Sequence, residues 1–139
     1  LVNRNIVSSI GEAFEKYIGR GRPGYVPRTR FSPVEAVQLI RAGGGVPVLA
    51  HPGTIGNDEI IGLLIPYGLR GIEVYHPEHT PAQVRHYLYA ARKLGLIATG
   101  GSDYHRPGYR ADLGEVCVPR EVVRRLQEAA RSLQERRSV

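Results

Sequence analysis

Hydrophobic and polar positions along this chain follow two alternating patterns, short apolar runs and longer segments with a helical period. The apolar runs, which we interpret as buried strands, cover residues 46–50, 71–75, 96–99 and 115–118. Helices are predicted between and after them, over residues 33–42, 57–67, 80–94 and from 119 to the end. This alternation is typical of βα units, so we predict an α/β fold with a largely parallel sheet. The four strands form either a small open sheet or one part of a larger barrel.

The N-terminal part of the chain follows a different pattern. Apolar residues recur at spacings of four and predict a helix over residues 6–18. Residues 19–30 are rich in glycine, proline and arginine, which predicts a linker or loop. The glycines at 19–24 superficially resemble a phosphate-binding loop, but they follow no strand, and we favour a flexible link. We therefore predict a short helical segment with its linker at 1–30 and the main α/β unit at 31–139.

Composition narrows the class of protein. The chain has 139 residues, 42% hydrophobic and 23% charged, which are ordinary values for one soluble globular domain. No apolar run reaches the ~18 residues that a membrane-spanning helix needs, and no signal peptide is visible. The single cysteine, Cys117, fits a reducing compartment, and its apolar surroundings predict a small buried side chain rather than a nucleophile. We expect a cytoplasmic protein with no membrane partner.

Two further features concern the chain start and the charge. The first residue is Leu1 and methionine is absent, so we expect a fragment of a longer protein. The formal net charge is +6, which favours acidic partners such as phosphates or nucleic acid. Much of this charge lies on the last predicted helix, where a solvated face explains it better than a binding patch. A nucleic-acid-binding domain is therefore an alternative that rests on charge alone.

Polar residues follow three of the predicted strands, at the edge where ligands bind in parallel α/β folds. These residues are His51 after the first strand, Glu73, His76 and His79 in and after the second, and Asp103 and His105 after the third.

Asp103 and His105 form a plausible metal-binding pair. Residues i and i+2 of an extended segment point to the same side, so the carboxylate and the imidazole can reach one ion. His51 could supply a third ligand, and mixed nitrogen and oxygen donors suit Zn, Mn or Fe better than Ca. The alternative is structural, with His51 ending a strand and Asp103 making a turn or helix-cap bond.

The remaining polar residues of these segments allow more than one interpretation. Glu73 and His79 are expected to support a metal ligand or contact substrate, and a purely structural ion pair is the alternative. His76 and His86 are predicted to face solvent. A nucleophilic role for Ser102 is disfavoured because the G-x-S-x-G motif is absent.

Three segments resemble the PHP (polymerase and histidinol phosphatase) family in order and spacing. They are GGVPVLAHPG at 44–53, GIEVYHPEH at 71–79 and TGGSDYH at 99–105. The branch that they most resemble contains stand-alone phosphoesterases acting on nucleotides or RNA ends. The segment AFEKYIGRGRPGYVP at 13–27 is similar to the stretch that leads from this branch's inserted helical domain back into the barrel. The resemblance covers about residues 8–118.

The resemblance implies the C-terminal βα units of a distorted (β/α)₇ barrel with up to three divalent ions, of Mn, Zn or Fe. It assigns His51, Asp103 and His105 as metal ligands with a catalytic role. The family's N-terminal His-x-His pair and middle ligands have no counterpart in this chain. The chain alone is therefore expected to be inactive without the missing N-terminal half of the barrel.

The activity that the resemblance implies is hydrolysis of a phosphate ester by metal-activated water. The expected partner is a phosphorylated small molecule, a nucleotide or a short RNA end. Arg28, Arg30 and Arg106 are candidates for holding further phosphates because of their loop positions. The alternative is a non-catalytic PHP-derived module used for binding or assembly.

Overall fold

The chain divides into two compact units, Leu1–Arg30 and Phe31–Val139. This computed structural model describes residues 1–27, 31–108 and 110–135. The assignment of the first unit to the end of an inserted domain, and of the second to part of a barrel, stays a prediction.

In the first unit, the helix predicted over residues 6–18 is present from Ile10 to Ile18, after a 3₁₀ turn at Val2–Arg4. Helix α1 covers Ile10–Ala13, and a π-helix follows at Phe14–Ile18. The helix begins late because Ser9 is extended and its side chain accepts the backbone N–H of Glu12 at 3.1 Å, which caps the first turn. The Gly19 N–H donates to the Phe14 carbonyl at 2.8 Å and closes the wider π turn.

The second unit is a three-stranded parallel sheet in the order β1-β2-β3, flanked by helices. The strands are β1 at Val48–Leu49, β2 at Gly71–Tyr75 and β3 at Ile97–Gly100. The helices are α2 at Pro33–Ala42, α3 at Pro52–Ile55, α4 at Glu59–Leu64, α5 at Pro81–Leu94 and α6 at Arg120–Glu135. The predicted α/β class with parallel strands is thus confirmed.

Helix α5 begins and ends where the sequence predicts. Thr80 and Gln83 form a capping box, and Gly95 ends the helix with a left-handed φ of 68°. A second capping box, of Ser32 and Glu35, begins α2. These signals are local in sequence, and helix α5 forms from them as expected.

Two predictions for the second unit are wrong. The strand expected at 115–118 is absent from the described residues, since the Glu115 N–H turns back to the Asp112 carbonyl at 3.2 Å. Cys117, expected to be buried, is exposed. The helix expected over 57–67 is present as an α-helix at Glu59–Leu64, followed by a 3₁₀ turn at Ile65–Tyr67 that contains Pro66, which lacks an N–H.

The core lies between the sheet and helices α2, α4 and α5. Its fully buried side chains include Leu64, Ile72 and Val74, with Tyr87 and Ala91 contributed by α5. The face of central strand β2 that carries Ile72 and Val74 is therefore fully buried, whereas Glu73 and Tyr75 on its other face are half-buried. Within the described part of the chain, no helix combines the length and the apolar character needed to cross a membrane.

Candidate functional site

The loops that follow the three strands meet at one edge of the sheet. The rings of His51, after β1, and His76, after β2, have centroids 5.4 Å apart. His76 Nε2 lies 3.5 Å from Asp103 Oδ2, in the loop after β3. His105 follows in the same loop, with its Nδ1 atom 3.8 Å from Asp103 Oδ1. The structure thus brings all three sequence-predicted ligands to the same edge, around a histidine that was expected to face solvent.

His51 is held in a left-handed conformation, with φ 30° and ψ 58°. Its backbone N–H donates to Glu73 Oε2 at 2.8 Å, which ties the residue to the central strand. The Thr54 hydroxyl donates its hydrogen to the His51 carbonyl at 2.9 Å, and the same oxygen lies 2.9 Å from His51 Nδ1. Because that hydroxyl has one hydrogen, Nδ1 is the donor in the second contact. The lone pair of His51 is therefore on Nε2.

His79 fixes the turn that contains His51. Its Nδ1 donates to the Val74 carbonyl at 2.8 Å, and its Nε2 accepts the Gly53 N–H at 3.1 Å. Gln83 Nε2 donates to the Gly53 carbonyl at 3.2 Å, so both backbone groups of this residue are bonded. Both ring nitrogens of His79 are in use, which leaves it no lone pair for a metal. Its contacts are those of a residue that supports the His51 turn.

His76 is buried, and the expectation that it faces solvent is wrong. Its side chain is 0% exposed, whereas the His86 side chain is 55% exposed in the body of α5. Its Nδ1 accepts the Glu78 N–H at 3.2 Å, so Nε2 carries the proton. Nε2 is buried and has no hydrogen-bond partner among the described residues. The alternation of β2 could have indicated this burial, because Ile72 and Val74 share its parity and are fully buried.

Asp103 adopts a left-handed conformation, with φ 49°, and carries a lowered pKa. Desolvation raises this pKa, but the His76 imidazole and the charges of His105 and Arg110 outweigh that effect. The Arg110 guanidinium pairs with Asp103 Oδ2, and its Nη2 atom lies 3.3 Å from Glu78 Oε2. Arg110 was missed in the sequence, since nothing in its loop position indicates this contact.

His105 is largely exposed, and its Nδ1 donates to the Asp103 carbonyl oxygen at 2.6 Å. In the neutral ring this leaves the lone pair on Nε2, as in His51. Arg106 is exposed in the same loop. Arg28 and Arg30, the other predicted phosphate-holding residues, lie outside the described residues.

The donor chemistry of this edge fits a divalent metal. Its donor groups are the imidazole rings of His51 and His105 and the carboxylate of Asp103, which are ligand types that Zn, Mn and Fe accept. Asp103 is already paired with a cation, the Arg110 guanidinium. Across residues 1–27, 31–108 and 110–135, however, no group of three or more His, Cys, Asp or Glu side chains is arranged to hold an ion. The ligand types therefore fit a divalent metal, but the described residues do not form a complete metal site.

No family model matches the chain, but curated proteins and solved structures do. A 3′,5′-nucleoside bisphosphate phosphatase of Chromobacterium violaceum is 34% identical over 131 residues, covering 86% of this chain and 46% of the relative. The 5′-3′ exoribonuclease Rnm of Escherichia coli is 31% identical, covering 82% of this chain and 41% of the relative. The chain therefore spans less than half the length of these curated relatives.

Two solved structures are similar in fold and sequence. A Bifidobacterium adolescentis protein named as a metal-dependent phosphoesterase superposes with a TM-score of 0.75 at 31% identity, covering 93% of this chain and 47% of that chain. An amidohydrolase of C. violaceum with bound sulfate and no metal gives a TM-score of 0.61 at 34% identity, covering 90% and 48%. This chain is similar in sequence to phosphate-ester hydrolases, and its α/β fold is shared with proteins named as a phosphoesterase and an amidohydrolase.

Proposed function

We propose that this chain is the C-terminal part of a PHP-family phosphoesterase that hydrolyses phosphate esters of nucleotides or RNA ends. The observation that carries the proposal is the meeting of His51, Asp103 and His105 at the carboxyl edge of three parallel strands. Similarity to a bisphosphate phosphatase and an exoribonuclease supports the substrate class. The missing N-terminal half of the barrel would supply the remaining ligands.

The residues of this chain have separate parts in the proposed reaction. A bound divalent ion would supply a hydroxide near neutral pH and neutralise the phosphoryl oxygens. His51 and His105 would hold it through Nε2, because the Nδ1 atom of each ring already donates to an oxygen of the chain. Asp103 would contribute its carboxylate. Mn, Zn or Fe suits this donor set.

The arginines of these loops are proposed to hold the substrate's phosphates. Arg106 is exposed in the loop after β3, and Arg110 extends to Asp103 from the same loop. A guanidinium binds phosphate oxygens in a bidentate fashion, which suits a substrate that carries two phosphates or an RNA backbone. Arg28 and Arg30 are proposed for the same role from the sequence.

The test measures Mn²⁺ binding and hydrolysis in the 139-residue chain and in the longest polypeptide that its gene encodes. Binding is followed by titration calorimetry, and phosphate release from a 3′,5′-nucleoside bisphosphate and a 5′-phosphorylated RNA is followed with time. We expect His51→Asn to lower hydrolysis by the longer polypeptide by at least about 100-fold. His86→Asn is the matched control, because this exposed histidine bonds Asp58 outside the site. Full activity of the His51 variant would exclude the metal role.

A non-catalytic binding or assembly module is the second candidate. The observation that favours it is that the described residues contain no complete group of metal ligands. This candidate predicts that neither polypeptide releases phosphate from either substrate. Hydrolysis that depends on added Mn²⁺ and on His51 would exclude it.

A further inference from the structure

We propose that His76 is a positioning residue for Asp103, whose carboxylate oxygen Oδ2 accepts the His76 Nε2–H so that Oδ1 faces the metal site. The inference deepens the proposed function, because it takes Asp103 to be a metal ligand.

The direction of the hydrogen bond follows from the backbone beside His76. The Glu78 N–H donates into Nδ1 at 3.2 Å, and a backbone N–H can only donate. The neutral ring must then carry its proton on Nε2. His76 is therefore a donor towards Asp103 and has no Nε2 lone pair to offer a metal.

The burial of this proton indicates its acceptor. Nε2 is buried and has no hydrogen-bond partner in the part of the chain that the structure describes, which is rare for a polar atom in a folded protein. Asp103 Oδ2 lies 3.5 Å from it, at the outer limit of a hydrogen bond. A movement of a few tenths of an ångström in the Asp103 side chain would complete the bond.

The ring has little freedom to turn elsewhere. Its centroid lies 5.4 Å from that of His51 and 5.3 Å from that of His79, and both neighbours are themselves hydrogen-bonded. Such packing on two sides fixes the plane of the ring and hence the direction of Nε2–H. This is how a supporting residue holds a metal-binding carboxylate in one orientation.

The two oxygens of Asp103 thereby acquire different roles. Oδ2 faces His76 and the Arg110 guanidinium, which are both donors. Oδ1 faces the His105 ring, with 3.8 Å between Oδ1 and Nδ1. Oδ2 is thus held by His76 and Arg110, and Oδ1 is the oxygen that would bind the ion.

The first test uses nuclear magnetic resonance of the metal-free chain and so does not depend on metal binding. Long-range proton–nitrogen correlation of the His76 ring is expected to show protonated Nε2 and unprotonated Nδ1. In Asp103→Gly, which tolerates the left-handed backbone, the His76 Nε2 proton should move upfield or be lost to exchange. A ring protonated on Nδ1, or an Nε2 proton unchanged in Asp103→Gly, would overturn the proposal.

The second test measures the Mn²⁺ affinity of the longest polypeptide that the gene encodes, with two substitutions of His76. His76→Gln keeps an N–H donor at similar reach and should stay within about 3-fold of the wild type, whereas His76→Leu should lose about 10–100-fold. His86→Gln is the control for loss of a histidine. Equal losses in both variants with a retained fold, or no loss in His76→Leu, would overturn the proposal. If the wild type binds no Mn²⁺, the proposed function fails, and the resonance experiment still shows whether His76 donates to Asp103. The resonance experiment also answers that question if His76→Leu does not fold.

Discussion

Replacing Gly53 by alanine tests whether His79 holds the turn that follows β1. A Cβ atom at this position would lie 2.7 Å from His79 Cδ2 and 2.8 Å from Gln83 Nε2. Real side chains essentially never show such distances, so one of these neighbours must move. The Gln83 side chain can turn away, but it loses its bond to the Gly53 carbonyl when it does so.

The His79 ring has no such freedom. It is buried, and its Nδ1 bonds the Val74 carbonyl at 2.8 Å. Moving it breaks this bond or the one that it accepts from Gly53, and each hydrogen bond contributes about 0.5–1.5 kcal/mol. Overpacking of a buried site costs about 1–3 kcal/mol. Since these effects overlap, we expect Gly53→Ala to lower the free energy of unfolding by about 2–4 kcal/mol.

Urea unfolding followed by circular dichroism measures this loss, with Gly62→Ala as the matched control. Gly62 lies in α4, and a Cβ there would have no atom of the described residues within 4 Å. Helix propensity then favours alanine, and we expect a gain of about 0.5–1 kcal/mol. The two glycine substitutions should therefore shift the urea midpoint in opposite directions. Ordinary surface substitutions change the free energy of unfolding by less than about 0.5 kcal/mol. A change this small in Gly53→Ala would refute the role of His79 in holding the turn.

Three further results are expected from the fold. The Ser32 N–H and hydroxyl hold the pKa of Glu35 below its ordinary value of 4.5. The free energy of unfolding lost in Glu35→Ala, measured with urea, should therefore be constant above pH 4.5 and shrink as the pH falls through the lowered pKa. Leu64→Ala removes a side chain that is 2% exposed and should cost about 2–5 kcal/mol in the same assay. Gly68→Ala should lower the melting temperature, because Gly68 has a φ of 112° and its Cβ would clash with the Arg41 side chain; an unchanged melting temperature would contradict this account.

The elements that the sequence predicts well are those whose signals are local. The signals that begin helix α5 lie at Thr80, Pro81 and Gln83, and the helix ends at Gly95. These residues belong to the helix or lie next to it in sequence. Strand formation depends instead on a partner that local sequence does not specify. Residues 115–118 have the apolar pattern of a strand, yet in the described structure no neighbouring strand pairs with them. Of the strand predicted at 46–50, only Val48–Leu49 pairs with a neighbouring strand, which is β2.

The candidate site shows the same limit at the level of single side chains. The placement of His51, Asp103 and His105 at one edge of the sheet could be predicted from sequence because each follows a strand, and the carboxyl ends of parallel strands lie at the same edge. The burial of His76 was missed, although the parity of β2 indicates it. The pairing of Arg110 with Asp103 depends on the path of the loop after β3, which no periodic pattern encodes.

The histidines of this edge are one residue type in the sequence but differ in what their rings can do. The difference is made by the partners of the two ring nitrogens, and His79 is excluded as a ligand because its Nε2 already accepts the Gly53 N–H. In His51 and His105 the Nδ1 atom donates to an oxygen of the chain, which puts the lone pair of the neutral ring on Nε2, the atom that we propose for metal binding. In His76 it accepts a backbone N–H, so Nε2 becomes a donor. Under the proposed function, the hydrogen-bond partners that the loops offer each ring therefore decide which histidines hold a metal, and substitutions that remove these partners should weaken metal binding without touching a ligand.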